Sequence, residues 1–345
     1  MNDKEKPQKE VMVPASEARQ TDFFQGWFGK NDESRTVDIY DAATRFFEGK
    51  PHEMQVTEFK FKNRSLRAVV RCAEIAKGVY RLPGAREELV ERVLRKLAVE
   101  QSSLNVGAET QSYFVCVNTT LYRIRKELVA VGHGYKIAEI KEALYILSLA
   151  SLELLAEGKY NRIGHHQTYI NLAYNYQNGD DSGKSSTVRV SFHSLIGEAI
   201  KNQAYFPINH TKLCSLKMPL ARWLATRINH NYRQATGHDH FKQTGFHISL
   251  ETIIREAPVA PLKQFRNYLV TVQKALKELQ DSGYLHPIQA YKEDLRYIET
   301  GKRPKLSGAV WTLYVSRAFA DEIAKGNTYM LEVKASQKEG KSHAA

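Results

Sequence analysis

Residues 258–288 read PVAPLKQFRNYLVTVQKALKELQDSGYLHPI, and the fold turns on this stretch. Phe265, Leu269, Val272, Leu276 and Leu279 recur at helical spacing, which predicts an amphipathic helix with one buried stripe. Pro261 suits the start of such a helix, and Ser282-Gly283 suits its end. The opposite face carries Lys263, Arg266, Asn267, Lys274 and Lys277, and no acidic residue precedes Glu278. A solvated face ordinarily mixes both signs, so this one calls for an anionic partner.

The neighbouring segments say what kind of unit the helix belongs to. MPLARWLATRINHNYRQA (218–235) reads as a helix with Pro219 near its first turn, FHIS (246–249) as a short strand, and LETIIREA (250–257) as a short helix ended by Pro258. After the long helix come two strands, GYLHPIQAYKEDL and AVWTLYVS, joined by a basic turn around ETGKRPKLSG. Two short helices at a steep angle followed by a β-hairpin describe a winged helix-turn-helix.

The same order precedes it. AREELVERVLRKLAVEQ (85–101) is an amphipathic helix with acids early and basic residues late, and SYFVCVN (112–118) is a strand. Asn118 is placed to cap TTLYRIRKELVAVG, which Gly132 and Gly134 close. YKIAEIKEALYILS sets Ile137, Ile140, Leu144 and Leu147 on one face. ASLELLAEG and HQTYINLAYNYQ are strand-like runs around a turn, NGDDSGKSS is a loop, and TVRVSFHSLIGEAI is a strand entering a helix. The fold class expected is α+β, predominantly helical, with two tandem winged helix-turn-helix domains and an N-terminal extension. The domains expected are a flexible tail (1–35), a basic extension (36–82), winged helix one (83–205), winged helix two (206–328) and a disordered C-terminal tail (329–345).

Length and composition agree with two domains. The chain has 345 residues, 42% hydrophobic and 26% charged, enough to bury two cores. No apolar run approaches a membrane span, and MNDKEKPQKE lacks the apolar core of a signal peptide, so a cytoplasmic protein is expected. Cys72, Cys116 and Cys214 have no metal-ligand or redox spacing and read as small buried hydrophobes. The net charge of +12 and pI near 9.4 favour a densely anionic partner. A membrane surface would need a basic helix with bulky apolar residues left exposed, and none is found, so no membrane partner is expected and nucleic acid is favoured.

In a winged helix the second helix of the turn enters the major groove, its N-terminal residues nearest the base edges. Arg266 suits guanine and Asn267 adenine, while Lys263 lies beside them and Val270 and Lys274 continue the stripe. Lys274 and Lys277 lie farther along, where phosphates are the better match. Lys302, Arg303 and Lys305 sit on the wing tip GKRPK, stiffened by Pro304 and suited to the backbone or minor groove. The span 261–305 holds nine basic and five acidic residues, net +4. A second basic segment, 56–81, holds seven basic residues against two acids, with Lys60 and Lys62 alternating with Phe59 and Phe61 as in a half-buried strand and a short helical piece after Ser65. Lys60, Lys62, Arg64, Arg67 and Arg71 are candidate backbone contacts there, as are Arg123, Arg125 and Lys126 in the first unit. The first unit's second helix exposes Glu139 and Glu142 beside Lys136 and Lys141, so dimerisation or backbone support suits it better than base reading. TDFFQGWFGK (21–30) is an aromatic patch that either tucks onto the body or docks a partner.

MPLARWLATRI, FRNYLVTVQKALKELQDSGYL and, more weakly, YKIAEIKEALYILSLASLEL resemble the RepA-type replication initiators of iteron plasmids, over roughly residues 85–325. The resemblance implies that the second domain reads half of a direct repeat through Lys263, Arg266 and Asn267. It implies a first domain that dimerises and contacts the other half, a homodimer in equilibrium with monomer, and partners in the host initiator and replicative helicase. It also implies opening of an adjacent A·T-rich segment and repression of the protein's own gene. The stretch of about 80 residues before the first unit departs from the family pattern. A transcriptional regulator at a palindromic operator would share all the local chemistry, and only the arrangement of binding sites separates the two.

Enzyme readings find little. HDH (238–240) has a charged middle residue and His165-His166 has none, so neither is the His-hydrophobic-His metal pair of a nicking enzyme. GDDSGKSS lacks the first glycine of a phosphate loop and reads as a turn. No catalytic residue, metal or cofactor is expected.

Overall fold

The computed structural model describes residues 33–36, 38–44, 46, 54–61, 64–101, 104–106, 113–157, 162–201, 205–232, 234–236, 245–300 and 303–342. The aromatic patch 21–30 lies outside the described residues.

The first core is built on α2 (Ala85–Gln101), whose Leu89, Val90, Val93, Leu94 and Leu97 are buried. α1 (Asp38–Ala43) precedes it, and β7 (Tyr113–Thr120), α3 (Leu121–Ala130) and α4 (Ile137–Leu149) follow. The cap of α3 is Thr120, not Asn118: its hydroxyl accepts from the Arg123 amide at 3.1 Å, because the strand continues two residues past Asn118 before the chain turns. Gly132 then takes the left-handed conformation that ends the helix (φ +88°). α4 buries Ile137, Ile140, Leu144 and Leu147 as its spacing predicts.

After α4 the chain departs from the expected order. β8 (Ser151–Glu157) and β9 (Arg162–Thr168) form a hairpin that joins β2 (Gln55–Phe61) and β3 (Arg64–Arg71) in the sheet β2-β3-β8-β9. The chain changes sheets at Tyr169, whose ring is fully buried against Phe46. β10 (Ile170–Asn175) and β11 (Thr187–Phe192) then pair with β7 and the short β6 (Leu104–Val106) in the order β10-β11-β7-β6. The run read as one strand, 166–177, is therefore two strands of different sheets. The helix expected after Ser65 is strand β3, since Leu66, Ala68 and Val70 enter the core and the backbone pairs on both sides, with β2 and β8. The basic extension thus packs into the first core rather than standing apart. β4 (Ala73–Ala76) and β5 (Val79–Arg81) form a small ribbon leading to α2.

The second core gathers α7 (Pro219–Asn231), β13 (Phe246–Ser249), α8 (Leu250–Glu256), α9 (Phe265–Asp281), β14 (Tyr291–Thr300) and β15 (Arg303–Leu313) around the fully buried Trp311. Its sheet runs β13-β15-β14, as the first unit's runs β7-β11-β10. The order α2, β7, α3, α4, β10, β11 recurs as α7, β13, α8, α9, β14, β15, while among the described residues β6 and the β2-β3-β8-β9 sheet belong to the first unit alone. All strand pairings described are antiparallel, and the fold is mixed α/β rather than predominantly helical.

The connection between the units and the C-terminal helix tie the cores together. β1 (Glu33–Thr36), expected within the flexible tail, pairs with β12 (Phe206–Asn209) in the connection between the units. α5 (Ser194–Lys201) and α6 (His210–Cys214) flank β12, and Cys214 belongs to the first core. α10 (Arg317–Ser342) buries Phe319 and Ile323 in the second core and Tyr329 and Met330 in the first. The tail expected to be disordered from residue 329 is therefore helical to Ser342, because its first turns have apolar surface to cover.

Candidate nucleic-acid interface

α9 starts at Phe265, one turn later than Pro261 implied, with Gln264 as its extended N-cap. The turn from α8 is pinned to it by the Tyr268 hydroxyl, which accepts from the Leu262 amide at 2.8 Å. The buried stripe is Tyr268, Leu269, Val272, Ala275, Leu276 and Leu279. Phe265, expected in the core, is 41% exposed at the first position of the helix.

On the outer face Lys263, Arg266, Asn267, Val270, Lys274 and Lys277 are all exposed. Lys263 precedes the helix, so it belongs to the turn rather than to the first helical turn. Among the described residues, Lys263, Arg266 and Lys274 have no ion-pair partner, whereas Lys277 meets Asp281 at 2.7 Å across one helical turn. That pair is exposed on both sides and adds little stability.

Glu293 fixes the helix to the hairpin. Its carboxylate accepts from the Trp311 indole N–H at 2.8 Å and from the Gln273 amide at 3.2 Å, joining β14, β15 and α9 through one group. Neither Gln273 nor Glu293 was singled out from sequence; the alternation of Tyr291, Glu293 and Leu295 was the available signal. β13 pairs with β15 only over Val310–Leu313, so the hairpin runs on from Leu295 as a two-stranded ribbon about 20 Å long. A register shift between Arg296 and Tyr297 twists it. Arg303 lies opposite Thr300 and Lys305 opposite Ile298 at its far end, while Lys302 lies outside the described residues.

The other candidate contacts fare differently. Arg71 is paired with Glu153 at 2.6 Å and Arg67 lies opposite Glu58, so the outer face of the β2-β3-β8-β9 sheet carries both signs rather than a basic stripe. Lys60 and Arg64 lie on β2 and β3, and Lys62 falls outside the described residues. Arg123 is held by Glu100 and Glu127, both at 3.1 Å, whereas Arg125 and Lys126 are exposed. On α4 both acids are engaged: Glu139 accepts from the Lys136 amide at the start of the helix, and Glu142 meets Arg86 of α2 at 2.8 Å. GDDSGKSS is a turn, held by the Asp180 carboxylate, which accepts from the amides of Lys184, Ser185 and Ser186.

Among the described residues no helix is long and apolar enough to cross a membrane, and no cluster of His, Cys, Asp and Glu could hold a metal ion. HDH lies outside the described residues, and the exposed His166 shares a hydrogen bond with the Ser151 hydroxyl.

No family model matches the chain, and no curated protein matches it. Solved structures similar to it include two of one other protein. One, of domains 2 and 3 of RctB, has a TM-score of 0.47 at 11% identity and covers 80% of this chain and 96% of the other. A second structure of the same domains has a TM-score of 0.45 at 9% identity, covering 83% of this chain and 99% of the other.

Proposed function

We propose that the protein is a non-enzymatic, tandem winged-helix DNA-binding protein that initiates plasmid replication at direct repeats. The observation that carries the DNA reading is the outer face of α9, where Lys263, Arg266 and Lys274 stand exposed without a carboxylate partner among the described residues. Duplex DNA supplies the missing negative charge, and a helix held at mid-length by Glu293 presents its N-terminal half to a major groove. Arg266 and Asn267 read base edges, while Lys274 and the basic end of the β14–β15 ribbon meet phosphates.

The initiator role rests on the sequence resemblance in α7 and α9. On that reading the first unit serves dimerisation and backbone contact, with Arg125 and Lys126 its exposed cations. The host initiator and replicative helicase are the partners.

A footprint of the full-length protein on the DNA flanking its own gene tests the proposal. Protected segments in direct repeat, spaced by about one or two helical turns, are the expected result. A single symmetric block over the promoter identifies a repressor instead, and no protection at low salt removes the DNA reading altogether.

A further inference from the structure

Val270 is out of place on α9. At about 100° per residue, it points roughly 160° away from the mean direction of the six buried side chains. It is 44% exposed, and it stands between Arg266 and Lys277 on one side and Asn267 and Lys274 on the other. Single apolar residues on a surface are ordinary. This one occupies the midline of the outer face, flanked by cations, on a helix that has no acid before Glu278. Valine is also a poorer helix former than alanine, since its branched side chain is confined against the preceding turn. Neither the core nor the helix therefore has a use for it.

Its surroundings specify the occupant. Arg266 and Asn267 lie one turn before it and Lys274 one turn after, so whatever covers Val270 is apolar at one point and rich in acceptors and negative charge around it. In the major groove the 5-methyl of thymine is the apolar group among base-edge acceptors, with phosphates flanking the groove. We infer that Val270 reads thymine, by packing its methyls on the 5-methyl of one T in the recognised sequence. The inference rests on α9 being the reading helix.

Removing the methyl from the DNA tests it. A duplex is first selected by the full-length protein from a random-sequence pool, and each thymine in turn is replaced by deoxyuracil, which lacks only that methyl. Binding of the wild-type protein is expected to fall about four-fold at one position, the equivalent of about 0.8 kcal/mol for one buried methyl at 1.4 kcal/mol per factor of ten. Val270→Ala, which favours the helix, is expected to bind thymine and deoxyuracil equally at that position and to match the wild type at every other.

If selected binding depends on Arg266 but no thymine shows a loss confined to the wild type, Val270 does not read a base and the inference alone is wrong. If no sequence is selected and Arg266→Ala changes nothing, α9 is not the reading helix and both readings go together.

Discussion

Arg222 of α7 reaches Glu88 of α2 across the boundary between the two cores. Its Nη2 and Nε donate to one carboxylate oxygen at 2.8 and 3.1 Å, and its Nη1 donates to the carbonyl of Leu216 at 2.7 Å. The arginine is fully buried, and Arg92 closes on the other oxygen of Glu88 at 2.9 Å. Burial alone would raise the Glu88 carboxyl, but Arg222 and Arg92 outweigh it and hold the group below its ordinary value. Glu88→Ala strands two buried guanidinium groups and is expected to cost about 3–5 kcal/mol in urea unfolding. A loss below about 1 kcal/mol would mean that solvent reaches the pair.

Arg266→Ala is expected to weaken binding by about 1–3 kcal/mol and to relax preference at one base position. Uniform weakening on every sequence would make Arg266 a phosphate contact and shift the register of α9 in the groove.

Lys274→Ala should act in the opposite way. Binding weakens about equally on all duplexes, and the slope of log K against log salt drops by about 0.9. An unchanged slope would place Lys274 away from the backbone.

His210, at the start of α6, gives a pH dependence. Burial, with Lys96 and Arg92 close by, pushes its imidazole down from 6.5 to about 3. The unfolded chain then binds a proton that the folded one refuses, so the contribution is whole above about pH 6.5 and declines as the pH falls toward 3. Between pH 6 and 4 this group removes up to about 1.4 kcal/mol per unit. His210→Gln should make the unfolding free energy flatter over that window; parallel curves for the two proteins would contradict the assignment.

Gly183 closes the β10–β11 loop onto the first unit's helices, accepting from the Tyr122 amide at 2.9 Å with φ at +71°. A Cβ there would meet Ile137 Cδ1 at 2.7 Å and Leu121 Cβ at 2.8 Å. Gly183→Ala is expected to lose about 1–3 kcal/mol. Gly179→Ala, equally left-handed but in open space, should lose about 1 kcal/mol. Equal losses would show that only the backbone conformation matters.

The α9 stripe, its polar outer face and its stop at Ser282-Gly283 were legible because helical period and turn chemistry are local. So were α7 with Pro219 at its first position and α4 with its four buried aliphatics. The first unit's hairpin was misplaced because β8–β9 and β10–β11 have the same local character. Which hairpin completes which sheet depends on β3 and β7, residues 151–157 apart from 66–71 by most of a domain. The charges of α2 misled for the same reason. In the sequence its acids come early and its basic residues late along the helix dipole, whereas Glu88, Glu91, Arg92, Arg95 and Lys96 are buried. They meet Asp41, Glu127 and Arg222, partners that no spacing within the helix announces.

The helices and strands of the second unit and the lack of any acid in α9 before Glu278 are legible in the sequence because each depends on residues within a few turns of one another, and the net positive charge is legible because it is a plain sum over the chain. The tertiary structure alone decided which cations remain unpaired. Arg71 and Arg123 found carboxylates brought near by strand pairing and helix packing, while Arg266 and Lys274 have none among the described residues. Charge is written in the chain, but its neutralisation is a matter of distance in the folded molecule, and that distance is set by contacts remote in sequence.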